Sequence, residues 1–477
     1  MKKVFIATII LAIGLHPAIA QNLPVSDIQK AAKSWLSSMS ISNHILIDDY
    51  QEIKIDENDV VYQFDLTPSG YIVLTNKKSL TPVIAYSLRN MYQEDGPLND
   101  LIISDISLRI RNIGMLPDEM VGKNIAKWNE LIDGEPMKYA FQQWPEPGST
   151  TTGGWVESEW SQSSPYNDFC PLDIVNGGRS LAGCPSVAIS MIINYLNTIN
   201  GTMFNNSDKY YHNYGGNSYL IDDDYLTYDF ASFNTINSYF DSIAQKYSDN
   251  EYLSNSEIST LVFACGVAAR QVYGSGASGT FGVDQAHDSF IRFGFDNASL
   301  IYETDTSFYT QIKENIKSAM PVLLALLVTN GPGGHNVVVD GYNSDDFYHL
   351  NFGWGGSYNS WYSIPEGIPY NLTTVEGAVV DIGTKQVGFN ETITGKNLSV
   401  FPNPSNGTIN ITYELKTESD VSLIALDNYG RVVQTLYDEV ASSGSHSYTL
   451  QLETSGIYHV ILTTNGNSSS VKVIIKH

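Results

Sequence analysis

The chain has little cysteine, little positive charge and, past its first twenty residues, no long apolar run, and each shortage removes a class of protein. Three cysteines in 477 residues cannot build a disulfide framework, and an odd number leaves at least one thiol without an intramolecular partner. Cys170, in a loop rich in Pro, Asn and Asp, could pair with Cys265, although Cys265 lies on a helical apolar face that suits a buried structural thiol. Lys and Arg total 26 against 51 Asp and Glu, a net charge of −25. Nucleic acid and anionic membrane are thereby excluded as partners, because both demand clustered cations. No later stretch approaches the ~18 apolar residues of a spanning helix. Met320 to Val328 is too short and reads as a buried strand, so no stable membrane insertion is expected. Metal-binding patterns are missing too. His212, His287 and His349 have no partners at ligand spacing, and Asp222-Asp223-Asp224 lacks the spaced ligands and closing Glu of a calcium loop. No metal and no organic cofactor are expected.

What the chain does have is apolar mass. Hydrophobic residues make up 42% and aromatics 12%, enough for packed cores rather than disorder, and the length suggests about two to four domains. Lys2-Lys3, an apolar core from Val4 to Leu15 and Ala18-Ile19-Ala20 make residues 1–20 a cleaved signal peptide, so the mature protein is expected to be soluble and exported. Ser26 to Leu36 has the pattern of a helix with Ser26 as its N-cap. Val60 to Leu66 and Gly70 to Thr75 form a hairpin leading into Pro82 to Ser87. Pro145 to Gly154 is a flexible boundary suited to processing. It separates residues 21–147 from a second region, 148–383. A polar linker, 384–396, precedes residues 397–477, where seven short strands with Asn, Gly and Ser turns predict a β-sandwich.

The chemistry gathers around Gly183-Cys184-Pro185. Cys184, Val187, Ala188, Met191, Ile192 and Tyr195 share one helical stripe, and Pro185 fits a first turn, where its missing N–H costs nothing. A thiol there feels the positive helix end and unpaired N–H groups, which favour a thiolate and offer an oxyanion site. A second candidate lies about 150 residues on, close to the nucleophile-to-base separation of papain-like enzymes. In Gly331-Pro332-Gly333-Gly334-His335 a glycine-rich loop delivers an imidazole to an alternating strand, and Phe347 to Trp354 forms the return strand after Asn343-Ser344-Asp345-Asp346. If Tyr342 faces Phe347, His335 faces Trp354 and His349 faces Asp340, a pairing that a one-residue slip would break.

These motifs, with Trp160-Ser161-Gln162-Ser163-Ser164-Pro165-Tyr166-Asn167 and Asn351-Phe352-Gly353-Trp354-Gly355-Gly356, resemble the streptopain family of secreted bacterial cysteine peptidases. The resemblance implies an α+β, two-lobed papain-like fold acting on protein or peptide substrates. It makes Cys184 the nucleophile, His335 the general base and acid, and Gln162 the oxyanion donor. Trp354 shields the imidazole, and Asn351 or Trp354 orients it. Two departures stand out: Pro185 occupies a position usually held by valine, and Phe352 one usually held by tryptophan. Tyr273-Gly274-Ser275-Gly276-Ala277-Ser278-Gly279-Thr280 is similar to the family's substrate-pocket loop, which with the histidine loop nominates Ser275, Gly276, Ser278 and Gly334 for substrate binding. Ser69 to Thr75 and Pro82 to Ser87 look like the family's propeptide, which implies that residues 21–147 act as an intramolecular inhibitor. Val400-Phe401-Pro402-Asn403-Pro404, Gly430-Arg431-Val432-Val433, Gly456-Ile457-Tyr458 and Lys472 to Lys476 resemble the sorting domain of type IX secretion cargo. That likeness implies secretion or cell-surface display, reached across the outer membrane with the type IX machinery as partner. Two alternatives share this scaffold: a catalytically silent surface binding protein, and a thiol-dependent acyltransferase or amidase.

Overall fold

The computed structural model describes residues 22–39, 45–134, 141–327, 334–364, 374–383, 398–402, 405–415, 417–427, 431–464 and 467–475. The expected signal peptide and the 384–396 linker lie outside them. Two compact units emerge, dividing near residue 385, with residues 245–252 grouped with the second.

The first unit opens with α1 (Val25–Ser38), which buries Ile28, Ala31, Ala32, Trp35 and Leu36, the i, i+3, i+4 stripe of an amphipathic helix. Its cap is Pro24, not the expected Ser26. Proline's fixed φ already suits a helix start, so Ser26 falls inside the first turn. Strands β1 (Leu46–Lys54), β2 (Val60–Thr67), β3 (Tyr71–Leu74) and β4 (Val83–Ser87) form an antiparallel meander. Two helices follow, α2 (Pro97–Arg111) and α3 (Asp118–Asp133), then the short β5 (Gln143–Trp144). The boundary expected to be flexible at Pro145 to Gly154 is tied down. Glu157 accepts from the N–H and hydroxyl of Thr151 at 2.8 and 3.0 Å, and the Asp340 carbonyl accepts the Trp155 N–H at 2.8 Å.

The helical half begins with α4 (Cys184–Leu196), in which every residue but Asn194 is buried, so the expected stripe is in fact a helix enclosed on nearly all sides. Beyond it lie the hairpin β6 (Tyr210–Tyr214) and β7 (Asn217–Ile221), then α5 (Tyr225–Tyr228), α6 (Phe233–Asp249) and α7 (Asn255–Ala268). A capping box between Ser254 and Glu257 starts α7, which packs on α4. Cys170 and Cys265 are both buried and both free. The pairing left open between them does not form.

The β half follows α8 (Val283–Arg292), β8 (Ser299–Tyr302) and α9 (Phe308–Lys317). It comprises β9 (Val322–Leu326), β10 (His335–Asn343), β11 (Tyr348–Asn351), β12 (Ser360–Tyr362) and β13 (Val375–Val380). Its sheet runs β1-β2-β3-β4-β12-β11-β10-β9-β13-β8, with β5 also on β10. The N-terminal meander therefore continues the sheet that carries His335, joined where Tyr86 and Ala85 pair with Trp361 and Tyr362. One hydrophobic cluster draws on both sides of that seam, including Ile84, Leu101 and Ile106 with Val337, Val339 and Leu350.

The β10–β11 hairpin departs from the expected register and then recovers it. Tyr342 pairs with Tyr348, not Phe347, because Asn343 spans the turn, its side chain accepting from the Asp345 and Phe347 N–H groups. A bulge at Asp340 absorbs the extra residue, and from Val339 opposite Leu350 the anticipated pairing holds. Asp340 and His349 do meet, Oδ1 to Nδ1 at 2.6 Å, both buried.

The second unit contains the seven expected strands: β14 (Ser399–Phe401), β15 (Thr408–Leu415), β16 (Ser419–Asp427), β17 (Val432–Ala441), β18 (Gly444–Gln451), β19 (Gly456–Thr464) and β20 (Asn467–Ile475). They form sheets β14-β15-β18 and β17-β16-β19-β20. Alternate residues such as Ile409, Ile411, Leu423, Ala425, Val460 and Val473 fill one core between the sheets.

Candidate active site

Cys184 stands at the first position of α4, reached through Gly183 at φ +87°. A side chain at 183 would strain that backbone and strike Gln271, whose amide lies 2.7 Å from where a Cβ would sit. The loop thus needs glycine, and the sulfur is delivered to the helix N-terminus almost fully buried, at 9% exposure. His335 arrives from the other half, at the head of β10. Burial alone pushes the Cys184 thiol up. The charge of His335, its hydrogen bond, and donors from Asn336 outweigh burial, and the thiol titrates below its ordinary value. His335 mirrors this. Burial pulls the imidazole down, while the Cys184 charge and hydrogen bond, the Phe352 carbonyl and the charge of Asp100 on α2 raise it above normal. The arrangement favours a thiolate–imidazolium pair.

The imidazole is oriented by backbone. Its Nε2 meets the Phe352 carbonyl at 3.1 Å, leaving the other ring nitrogen for the sulfur, and its ring stacks on Phe352 at 5.7 Å and 19°. Neither residue proposed from the motif for this task performs it. Asn351 donates to the Ser158 carbonyl at 3.0 Å and accepts from the Gly353 N–H at 3.1 Å, bracing the strand end against the segment that leads to Gln162. Trp354 is 43% exposed and meets Tyr358 edge-on at 5.9 Å. The cause is local: β11 ends at Asn351, and Gly353, at φ +67°, turns the chain out of the ladder, so Phe352 supplies the ring expected from Trp354.

Gln162 lies beside the helix head, its carbonyl accepting the Ala182 N–H at 2.9 Å, which fixes its backbone two residues from the cysteine. The nominated substrate loop is largely occupied with itself. Ser275 gives both its N–H and its hydroxyl to Asp173 at 2.9 Å. The Ser278 hydroxyl bonds the N–H and carbonyl of Gly274. Gly276 has open space around it, and Gly334, exposed beside His335, could not carry a Cβ because the Leu326 carbonyl lies 2.7 Å away. Sequence reasoning missed Phe352 as ring partner, Asn336 beside the sulfur, and Gln271, which is fully buried and donates to the Ala182 carbonyl at 2.7 Å. Only Asn336 carried a signal, its adjacency to His335.

The N-terminal region touches the rim of this site. Arg89 forks onto Glu159, with Nη2 to Oε2 at 3.0 Å. Asn90 donates to the Gly356 and Asn359 carbonyls, each at 2.9 Å. The Tyr358 hydroxyl donates to the Asp95 carbonyl at 2.8 Å. Among the described residues no cluster of His, Cys, Asp and Glu could hold a metal, and no helix is long and apolar enough to cross a membrane.

Comparison with known proteins gives two family matches. A model of the peptidase C10 family matches residues 160–362, and one of the secretion system C-terminal sorting domain matches residues 399–476. Streptopain from Streptococcus pyogenes serotype M28 is 24% identical over 351 residues, which is 69% of this chain and 81% of that protein. The serotype M3 protein is 23% identical over 353 residues, with the same coverage. Among solved structures, a fragment of Prevotella intermedia prointerpain A aligns at 19% identity and a TM-score of 0.47, covering 70% of this chain and 98% of that one. Active interpain A aligns at 21% identity and 0.37, covering 50% and 99%.

Proposed function

We infer how this chain works from the pair at the head of α4, taking as premise that residues 160–362 are a peptidase C10 (streptopain) family domain followed by a secretion sorting domain. The protein is a secreted cysteine endopeptidase. Cys184 is its nucleophile and His335 its general base and acid. The Cys184 thiolate attacks the scissile carbonyl. The developing oxyanion takes hydrogen bonds from the Cys184 N–H, which in the first helical turn has no carbonyl partner within the helix, and from the Gln162 side chain. Each such donor lowers the barrier by roughly 3–4 kcal/mol. His335 passes its proton to the leaving amine, then takes one from water as the acyl-enzyme is hydrolysed.

The segment before residue 148 acts as an intramolecular inhibitor, and the type IX machinery recognises the 397–477 sandwich. Support for the first comes from the four strands added to the sheet, the Arg89 and Asn90 clasp on the rim, and Asp100 within electrostatic reach of the imidazole. Because Cys184 and His335 are already paired with this segment in place, inhibition acts by covering the site rather than by pulling the pair apart.

The observation that carries the reading is that the heads of α4 and β10, far apart in the chain, converge so that Cys184 Sγ lies 3.4 Å from the N–H of the residue after His335. The test is digestion of casein by processed protein with and without Cys184→Ala. The substitution should abolish digestion, and equal digestion by both proteins would remove Cys184 from the mechanism.

A further inference from the structure

The residue that follows His335 also faces the sulfur. Asn336 enters the ladder of β10 opposite Ala325, and its backbone N–H points at Cys184 Sγ from 3.4 Å. Its side-chain amide, on the same residue, adds a second contribution that favours the ionised sulfur. The other end of that amide is left bare, for Oδ1 is buried and has no hydrogen-bond partner among the described residues. A buried carbonyl oxygen without a donor is costly, and each such group in a native fold calls for an explanation. An amide whose NH2 end serves the sulfur turns its oxygen end away from it, which accounts for the bare Oδ1.

We propose that Asn336 is a catalytic residue of this enzyme, its side-chain amide holding the negative charge of the Cys184 sulfur. The inference rests on the reading of Cys184 as nucleophile. In the resting enzyme the amide adds to the imidazolium in keeping the sulfur ionised. It acts again in deacylation. As water adds to the acyl carbon and the C–S bond breaks, the bonding pair returns to sulfur, the water's proton goes to His335, and the amide receives the restored thiolate. Among the described residues the charges acting on the pair are few: His335 comes from β10, and Asp100 reaches the imidazole from α2, so a change at 336 is read against a simple background.

The test is the pH dependence of Cys184 alkylation by iodoacetamide in the full chain, resolved to the site by mass spectrometry, for wild type, Asn336→Leu, Asn336→Ala and Asn336→Asp. Leucine keeps the shape and removes the donor, so the inflection should rise by about one pKa unit, with tenfold less thiolate on its acid side. The more basic sulfur is intrinsically more nucleophilic, by about threefold for that unit, so the rate there should fall about three- to fourfold. Alanine should behave as leucine does, which covers the case where leucine fails to fold. Aspartate, placing a like charge beside the sulfur, should raise the inflection further. For processed protein, kcat should fall more than KM changes. Leucine and alanine profiles that superimpose on wild type would overturn the assignment while leaving Cys184 in place. A wild-type inflection near the ordinary ~8.5 would end both readings.

Discussion

Replacing Asp105 by alanine strands a guanidinium inside the first unit. Asp105 is fully buried on α2, and its carboxylate takes Arg109 Nε at 3.0 Å, Arg109 Nη2 at 2.5 Å and the Tyr362 hydroxyl at 2.6 Å. Without it, Arg109 retains the Ser363 carbonyl at 2.8 Å. Breaking one side of a buried pair costs about 3–5 kcal/mol, and the orphaned tyrosine hydroxyl adds about 1 kcal/mol. That is a large part of the roughly 5–15 kcal/mol that holds a domain together. The Arg89–Glu159 pair is the contrast, because its side chains are 45% and 27% exposed and Arg89→Ala should cost about 0.2–1 kcal/mol. Removing both buried charges with Asp105→Leu and Arg109→Met should recover most of the loss, since an apolar pair of similar volume avoids the desolvation penalty. Urea unfolding read by tryptophan fluorescence measures all three, in a Cys184→Ala background so that no self-cleavage intrudes. All seven tryptophans lie between Trp35 and Trp361, so the signal reports this unit alone. A loss under about 1 kcal/mol for Asp105→Ala, or a double variant as damaged as the single, would refute the argument.

Three further outcomes follow from the site and its surroundings. With the thiol lowered and the imidazole raised, both shifts favour coexistence of thiolate and imidazolium. The thiolate contribution is lost as pH falls through the lowered thiol value, and the imidazolium contribution as pH rises through the raised imidazole value. The kcat/KM profile should therefore be bell-shaped, and a single ionisation near the ordinary thiol value would contradict the pairing. Phe352→Ala should cost about 3–5 kcal/mol in chemical unfolding, because Phe352 is 1% exposed beneath the imidazole, whereas Trp354→Ala should change stability by no more than about 0.5 kcal/mol. Equal losses would contradict the assignment of Phe352 as the packed ring and Trp354 as the exposed one. Burial raises the Glu303 carboxyl to about 7, with a Tyr309 hydrogen bond opposing it. The folded state thus holds this proton more tightly than the unfolded state, and stability falls as pH rises through that value. Glu303→Gln should raise Tm at pH 8 and leave it unchanged at pH 4, and a pH-independent difference between the two proteins would sink the linkage.

Much of the site was legible because its parts are locally encoded. Pro185 after Cys184 marks a helix start by chemistry that needs no tertiary contact, and the alternation from Val337 to Tyr342 marks a strand whatever it pairs with. The details that escaped depend on single residues whose effect is felt several positions away. Asn343 lengthens the turn, Asp340 bulges to restore the register, and Gly353 ends the ladder one residue before Trp354. Period-two patterning cannot show a slip that is later cancelled, nor which of two neighbouring rings, Phe352 or Trp354, stacks on the imidazole.

The seam between β4 and β12 was the least legible feature and has the widest consequence. Tyr86 and Trp361 each sit in a short apolar run, and nothing in either run names the other as its edge partner across so long an intervening chain; that choice is made by the shared core. Ile84, Leu101 and Ile106 bury against the same cluster as Val337, Val339 and Leu350, and Arg109 fastens to the Ser363 carbonyl just past β12. Cutting the chain near residue 147 breaks one covalent link and none of these contacts. On the proposed inhibitory role of this segment, cleavage and uncovering of the Cys184 site are therefore separate steps. The second must overcome the strand pairing and the buried apolar area that a severed N-terminal segment still holds.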